Sequence, residues 1–378
     1  MIARTVYRED HEMFRVTARR FIERECVPRQ AEWDKTGRVD RDTWLKAGRE
    51  GLLCTSLPEE YGGGGGDFGH CAVLIEELAA ANISGPGFSL HSDIIAPYIL
   101  RLGTDEQKRR WLPKCASGEC ILAIAMSEPG AGSDLKAVRT TAVRQGEEYV
   151  INGSKTFISN GLNCDLVVVV AKTDPAAGAK GVSLFLVEAD RAGFKKGRKL
   201  DKIGQDAADT AELFFDEVRI PAANLLGELN RGFIHLMQEL AQERFIIAVG
   251  AASTTEAMLA ETIRYTRERK LFGQSVFDFQ NSKFKLAELK AKATAMRIMV
   301  DFYLGEHLRR KLTVEEAAIA KLFTTETMCA ALDDMLQLHG GYGYMTEYPI
   351  ARAYVNARVS RIYGGTSEVM KELISRGL

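Results

Sequence analysis

The stretch LMQELAQERFIIAV, residues 236–249, sets one carboxylate among apolar neighbours. Leu236, Leu240, Glu243 and Ile247 recur at spacings of four, three and four, which on a helix stacks them along one face. Burial in such a stripe penalises the ionised carboxyl and raises its pKa toward the range a general base needs. The same pattern also fits a surface glutamate paired with an arginine or lysine, so the helix alone leaves both readings open.

Three other stretches offer groups suited to holding a ligand. In IAMSEPGAGSDL, residues 124–135, Ser127 and Ser133 supply hydroxyls, while Gly130 and Gly132 would let backbone amides approach a planar or anionic ligand. A plain loop has the same composition. RERKLFGQSVFDFQ carries Arg269, whose planar fork suits phosphate oxygens, although a lone arginine at a helix end is usually just solvated. RIYGGTSEVM, residues 361–370, sets two glycines between an aromatic residue and a hydroxyl pair, where the backbone turns tightly or approaches a ligand.

Composition narrows the classes of function. With 50 basic and 51 acidic residues the net charge of -1 leaves no positive field to collect nucleic acid or anionic lipid. The cysteines, Cys26, Cys54, Cys71, Cys115, Cys120, Cys164 and Cys329, are scattered without a C-x-x-C pair and read as reduced, mostly buried thiols. Dispersed histidines and the lack of an H-E-x-x-H stretch predict no protein-held metal. The first residues lack the apolar core of a signal peptide, and no run approaches membrane-spanning length. A bacterial-type cytoplasmic protein is expected; a mitochondrial matrix chain trimmed of its transit peptide would read the same.

The elements that position these groups fall into three blocks. Residues 1–120 show helical spacing, with Asp40 placed as a cap and YGGGGGDFG as a mobile interhelical loop; no strand precedes that loop, which argues against a dinucleotide fingerprint. Residues 121–227 change to short β-branched runs, with INGS at residues 151–154 as a hairpin turn signal. No helix-length segment separates these strands, so an antiparallel barrel or sandwich is expected. Residues 228–378 return to long helical patterns. The fold class is mainly α with a central β domain.

Taken together, AMSEPGAGSDL, INGSKTFISNG, RERKLFGQSVFDFQ, QLHGGYGYMTEYPI and IYGGTSEV match, in order and across nearly the whole chain, the motifs of acyl-CoA dehydrogenases, and the chain resembles that family. The resemblance implies the three-domain acyl-CoA dehydrogenase fold and an FAD cofactor. Ile124, Ala125, Met126, Ser127, Gly132 and Ser133, with Phe157, Ile158 and Ser159, would line the flavin ring. Phe157 would pack on it where many members have tryptophan. Arg269, Phe272 and Gln280 would hold the pyrophosphate and adenosine from a neighbouring subunit, and Gln337, Gly340, Gly341, Thr366 and Glu368 would complete the cofactor contacts. Ser133, Gln242, Arg244 and Gly365 would lie beside the substrate.

Family chemistry takes an α-proton from an acyl-CoA thioester while the β-hydrogen leaves as hydride to the flavin, so a carboxylate must face the ring. Many members place a glutamate just before the C-terminal Gly-Thr; here that position is Gly364. Long-chain and isovaleryl-type members instead carry the base on the helix that here holds Glu243-Arg244, and the resemblance assigns the base to Glu243. Gly364 would offer its backbone N–H to the thioester oxygen.

NISGPGFSLHSD, residues 82–93, resembles the long-chain type, and Gly85 and Gly87 would leave an acyl tunnel deep. Medium-to-long or branched acyl-CoA substrates are therefore expected. An electron-transferring flavoprotein would accept the electrons, and a homotetramer is the family habit. An isovaleryl-type enzyme, or an oxygen-using flavin oxidase or monooxygenase on the same fold, is the alternative.

Overall fold

The computed structural model describes residues 4–378. Six helices come first: α1 (Glu9–Phe21), α2 (Gln30–Thr36), α3 (Arg41–Arg49), α4 (Phe68–Ala80), α5 (Ala96–Leu102) and α6 (Asp105–Ala116). Asp40 caps α3 as its position predicts, its Oδ1 accepting from Thr43 N at 2.9 Å. Thr104 and Gln107 form a reciprocal capping box at α6. A π-helical segment, Leu90–Ile95, leads directly into α5.

The glycine-rich loop folds back on the segment before it through backbone hydrogen bonds. Gly65 N and Gly66 N donate to the carbonyls of Leu57 and Thr55 at 2.9 Å, and Asp67 then caps α4 by accepting from Gly69 N. Two of the six histidines do meet, in a way their spacing conceals: ligand atoms of Asp10, His11 and His70 lie within 4.8 Å of one another. These groups serve helix starts. Arg8 N donates to His11 Nδ1 at 3.1 Å, and Asp67 N donates to His70 Nδ1 at 3.3 Å.

Eight strands follow: β1 (Leu122–Ala125), β2 (Thr141–Gln145), β3 (Glu148–Ser159), β4 (Leu166–Lys172), β5 (Val182–Glu188), β6 (Phe194–Lys199), β7 (Thr210–Pro221) and β8 (Leu225–Leu226). They form one sheet in the order β6-β7-β3-β2-β4-β5-β8, with β1 paired to β4. Pairing is mainly antiparallel; β1–β4 and the single β2–β4 bridge are parallel. Alternate residues of β4 and β5 serve two cores. Val168, Val170, Leu184 and Leu186 pack with Ile99, Leu112 and Leu236, whereas Val167, Val169, Phe185 and Val187 pack with Tyr149, Ile151 and Ile220. Such two-sided burial explains why these strands read as continuous apolar runs.

INGS does not turn. β3 runs through it, and the β2–β3 hairpin closes at Gly146, which has φ +63°. The Asn-Gly pair marks an irregularity in the β3–β7 ladder between Ile151 and Gly153, where the Glu217 N–H donates to the Asn152 side chain at 2.8 Å.

The last block holds α7 (Gly232–Glu268), the small hairpin β9 (Lys270–Leu271) and β10 (Gln274–Ser275), then α8 (Gln280–Leu308), α9 (Val314–His339), α10 (Pro349–Ala357) and α11 (Ser367–Ser375). Contrary to the sequence reading, α7 is long and apolar enough to cross a membrane by length and composition. It lies instead in the protein core: Phe245, Val249 and Ala252 pack with residues of α4, α8 and α9. Among the described residues the cysteines are all free, six buried and Cys329 half-buried.

Candidate active site

Helix α7 carries Glu243 into a closed setting against α5. The carboxylate is 7% exposed, and Tyr98 Oη donates to its Oε1 at 2.8 Å. Burial pushes the carboxyl up to about 7; the Tyr98 bond opposes that shift, and the charge of Glu239 adds to it. One turn earlier on α7, Glu239 is buried and receives both its bonds from Arg101 Nη1, at 2.7 and 2.6 Å. Tyr98 and Arg101, three apart on α5, thus meet Glu243 and Glu239, four apart on α7.

Arg244 is also buried. Its Nε and Nη1 find no hydrogen-bond partner among the described residues, and burial holds its pKa below the usual guanidinium range. These orphaned donors beside Glu243 are free to meet a ligand group. Gln242 turns the other way, its Nε2 donating to the Asp93 carbonyl at 2.5 Å.

Gly364 and Gly365 both take positive φ, +63° and +96°. Gly364 N donates to no acceptor among the described residues. Gly365 O accepts from Lys321 Nζ, a buried amine pushed down to about 8 by burial, with Arg244 adding to the effect. Thr366 caps α11, and Glu368 stands exposed in its first turn.

The strand domain carries a second group of the residues singled out from the sequence. After β1, which holds Ile124 and Ala125, Met126 and Ser127 start a loop pinned from behind: Lys155 Nζ donates to Met126 O at 3.1 Å and to Glu128 Oε1 at 2.8 Å. Thr156 N donates to Ser127 O at 3.0 Å. Beyond that anchor, Gly132 and Ser133 are exposed, and a β-carbon on Gly132 would meet open space. In β3 the ladder shifts between Lys155 and Ile158, and at that bulge Phe157 takes φ +60° with 70% of its surface exposed. A large aromatic side chain is thus held outward by strained backbone, free to stack on a planar group. Ile158 is buried, whereas Ser159 is exposed.

A third group lies at the far end of α7. Arg269, Gln337, Gly340 and Gly341 line one cavity of about 570 Å³ with Tyr265 and Tyr342. β-Carbons on Gly340 and Gly341 would enter open space there. Phe272, at the tip of the β9–β10 hairpin, is 96% exposed, and Gln280 opens α8 on the surface. Neither of these two lines the cavity.

Gly85 and Gly87 depart from the sequence reading. A β-carbon on Gly85 would lie 2.6 Å from Ala207 Cβ, and one on Gly87 would lie 2.4 Å from Asn160 Oδ1. These glycines let their segment approach the strand domain closely, and they give no support to a deepened tunnel. Tyr98, Glu239 and Arg101 are the site residues that the sequence reading missed. A glutamate one turn before Glu243 was the available signal; its partners on α5 come from the fold.

The fold and the site together define an acyl-CoA dehydrogenase. The N-terminal, middle and C-terminal domains described for that family match residues 8–119, 123–218 and 230–378, and the chain belongs to the family. It is 52% identical to the mitochondrial long-chain specific acyl-CoA dehydrogenase of Sus scrofa, over 99% of this chain and 87% of that one. A crystal structure of acyl-CoA dehydrogenase from Geobacillus kaustophilus aligns with a TM-score of 0.97 at 47% identity, covering 99% of both chains. A glutaryl-CoA dehydrogenase from Mycobacterium smegmatis in complex with FADH2 aligns with a TM-score of 0.91 at 28% identity, covering 98% of this chain and 95% of that one.

Proposed function

We propose that this protein uses FAD to oxidise a medium-to-long or branched saturated acyl-CoA to its trans-2-enoyl-CoA, with Glu243 as the base. The observation that carries the reading is a pair: a buried carboxyl at Glu243, pushed up to about 7 and held by Tyr98, and a glycine rather than a carboxylate at position 364, where φ is +63°. The chain-length preference rests on similarity to the long-chain relative, since Gly85 and Gly87 do not carry it.

The residues present fit FAD. Phe157 offers an exposed aromatic face, Ser127 and Ser133 offer hydroxyls, and Arg269 with Gly340 and Gly341 lines an open cradle suited to a pyrophosphate. When bound, FAD accepts the β-hydride at flavin N5. Glu243 takes the α-proton: the α C–H bond breaks, an O–H bond forms on the carboxylate, and the released pair enters the new double bond. Gly364 N–H and the free donors of Arg244 stand ready for the thioester oxygen and nearby ligand groups.

The active unit is an oligomer. Glu243 and Arg269 lie on one continuous helix and its C-cap, 26 residues or about 39 Å apart, so the cavity at Arg269 serves a neighbouring subunit's cofactor. A tetramer, with an electron-transferring flavoprotein as acceptor, completes the proposal. We assign the parts to domains 1–120, 121–227 and 228–378, and place the protein in the bacterial cytoplasm or mitochondrial matrix.

Anaerobic mixing of the yellow enzyme with acyl-CoAs of graded length tests this reading through bleaching of the flavin. Native protein should bleach with the longer chains and Glu243→Gln should not. Full-rate bleaching of the variant would overturn the base, and no bleaching of native enzyme by any acyl-CoA would overturn the activity.

A further inference from the structure

We infer that Tyr98 is a positioning residue for the base: its hydroxyl holds one carboxylate oxygen of Glu243 and thereby fixes which oxygen takes the substrate's proton. The inference rests on the assignment of Glu243 as the base. Tyr98 is fully buried on α5, and its Oη donates to Glu243 Oε1 at 2.8 Å. No other described side chain donates to that carboxylate, so Oε2 is left for the α-proton. A glutamate has three rotatable bonds, and a tether on one oxygen removes most of the freedom that would blur its aim.

Tyr98 can act as a donor throughout the working range. Burial, with the adjacent charge of Glu243, holds the phenol well above its ordinary pKa, so it stays protonated. Its bond favours the ionised carboxylate in a setting that otherwise disfavours it. The other groups facing the base are accounted for. Glu239, on the same helix, adds like charge and is neutralised by Arg101 from α5; Arg244, also on α7, favours the ionised form, and Lys321 from α9 lies near Arg244. Of these groups, Tyr98 alone touches the carboxylate.

The bond makes a directional prediction. In Tyr98→Phe the ring packing is kept and the donor lost, so the acid limb of the kcat/KM profile should move up by about one pH unit, a loss of about tenfold at pH 6. KM should change little at the alkaline plateau, while kcat falls there because the carboxylate is no longer aimed. A merely structural role would lower FAD content or thermal stability and leave the limb in place; that result would overturn the inference. 3-Fluorotyrosine installed at position 98 alone keeps the volume and strengthens the donor, and should move the limb down. It decides the matter if Tyr98→Phe fails to fold, and an unmoved limb there also overturns the inference. Glu243→Gln separates the two claims. If it bleaches as fast as native enzyme, the base assignment fails; if it is silent while the Tyr98 substitutions leave the limb unmoved, only the role of Tyr98 fails.

Discussion

A β-carbon built on Gly364 would lie 2.6 Å from Cδ1 of Ile247, one helical turn beyond Glu243 on α7. The φ of +63° favours glycine at position 364, and any side chain there would also have to displace the end of the Ile247 side chain. Glu243 on α7 and the glycine in the C-terminal loop are linked through Ile247, whose Cδ1 would have to shift before position 364 could carry a side chain. Gly364→Ala should cost about 1–3 kcal/mol in denaturant unfolding. Adding Ile247→Val should return the steric part and leave the part due to φ. Relocating the base as Glu243→Gly with Gly364→Glu should give no flavin bleaching unless Ile247 is also shortened.

Glu243 is poised at the expense of the fold. Its folded pKa of about 7 lies above the ordinary 4.5, so between those values the folded state holds a proton that the unfolded chain has released. The stability it contributes is full below pH 4.5 and is lost as pH rises through about 7. Glu243→Gln, neutral throughout, should match native protein near pH 4.5. At pH 8 it should be more stable by about 3 kcal/mol, measured as a higher unfolding midpoint. A constant difference across that range would show that burial is not the cause.

The Lys155–Glu128 pair fixes the loop that follows β1, where the proposal places the flavin ring. Both groups are buried, and Lys155 is pushed down to about 8 by burial despite its partner. Lys155→Met leaves Glu128 with backbone donors only, from Arg139 and Thr140. The expected loss is about 3 kcal/mol, with weaker FAD retention because Met126 O loses its anchor. Dialysis against buffer followed by a measurement of the remaining flavin absorbance reads the second effect.

Legibility in the sequence followed locality. Asp40, the long helices and the β-branched strands were readable because caps and periodicity act over a few residues. INGS misled because an Asn-Gly pair suits a bulge as well as a turn, and only the β3–β7 register distinguishes them. The burial of Glu243 was legible through its stripe, but its bond to Tyr98 was not, since 145 residues separate the partners. Gly85 and Gly87 were misread for the same reason: the atoms that require glycine there belong to Ala207 and Asn160.

The distance along α7 gives a test of shared sites. A subunit with Glu243→Gln keeps a good cavity at Arg269, and a subunit with Arg269→Ala keeps a good base. Each homo-oligomer should therefore be inactive or cofactor-poor. When the two are denatured together, refolded one to one and loaded with FAD, random pairing makes about half the dimers mixed. In a mixed dimer one site joins Glu243 of one chain to Arg269 of the other, while the second site carries both defects. Activity should return to about a quarter of native. A mixture no more active than the separate variants would show that each chain completes its own site, and that the cavity at Arg269 serves some other ligand.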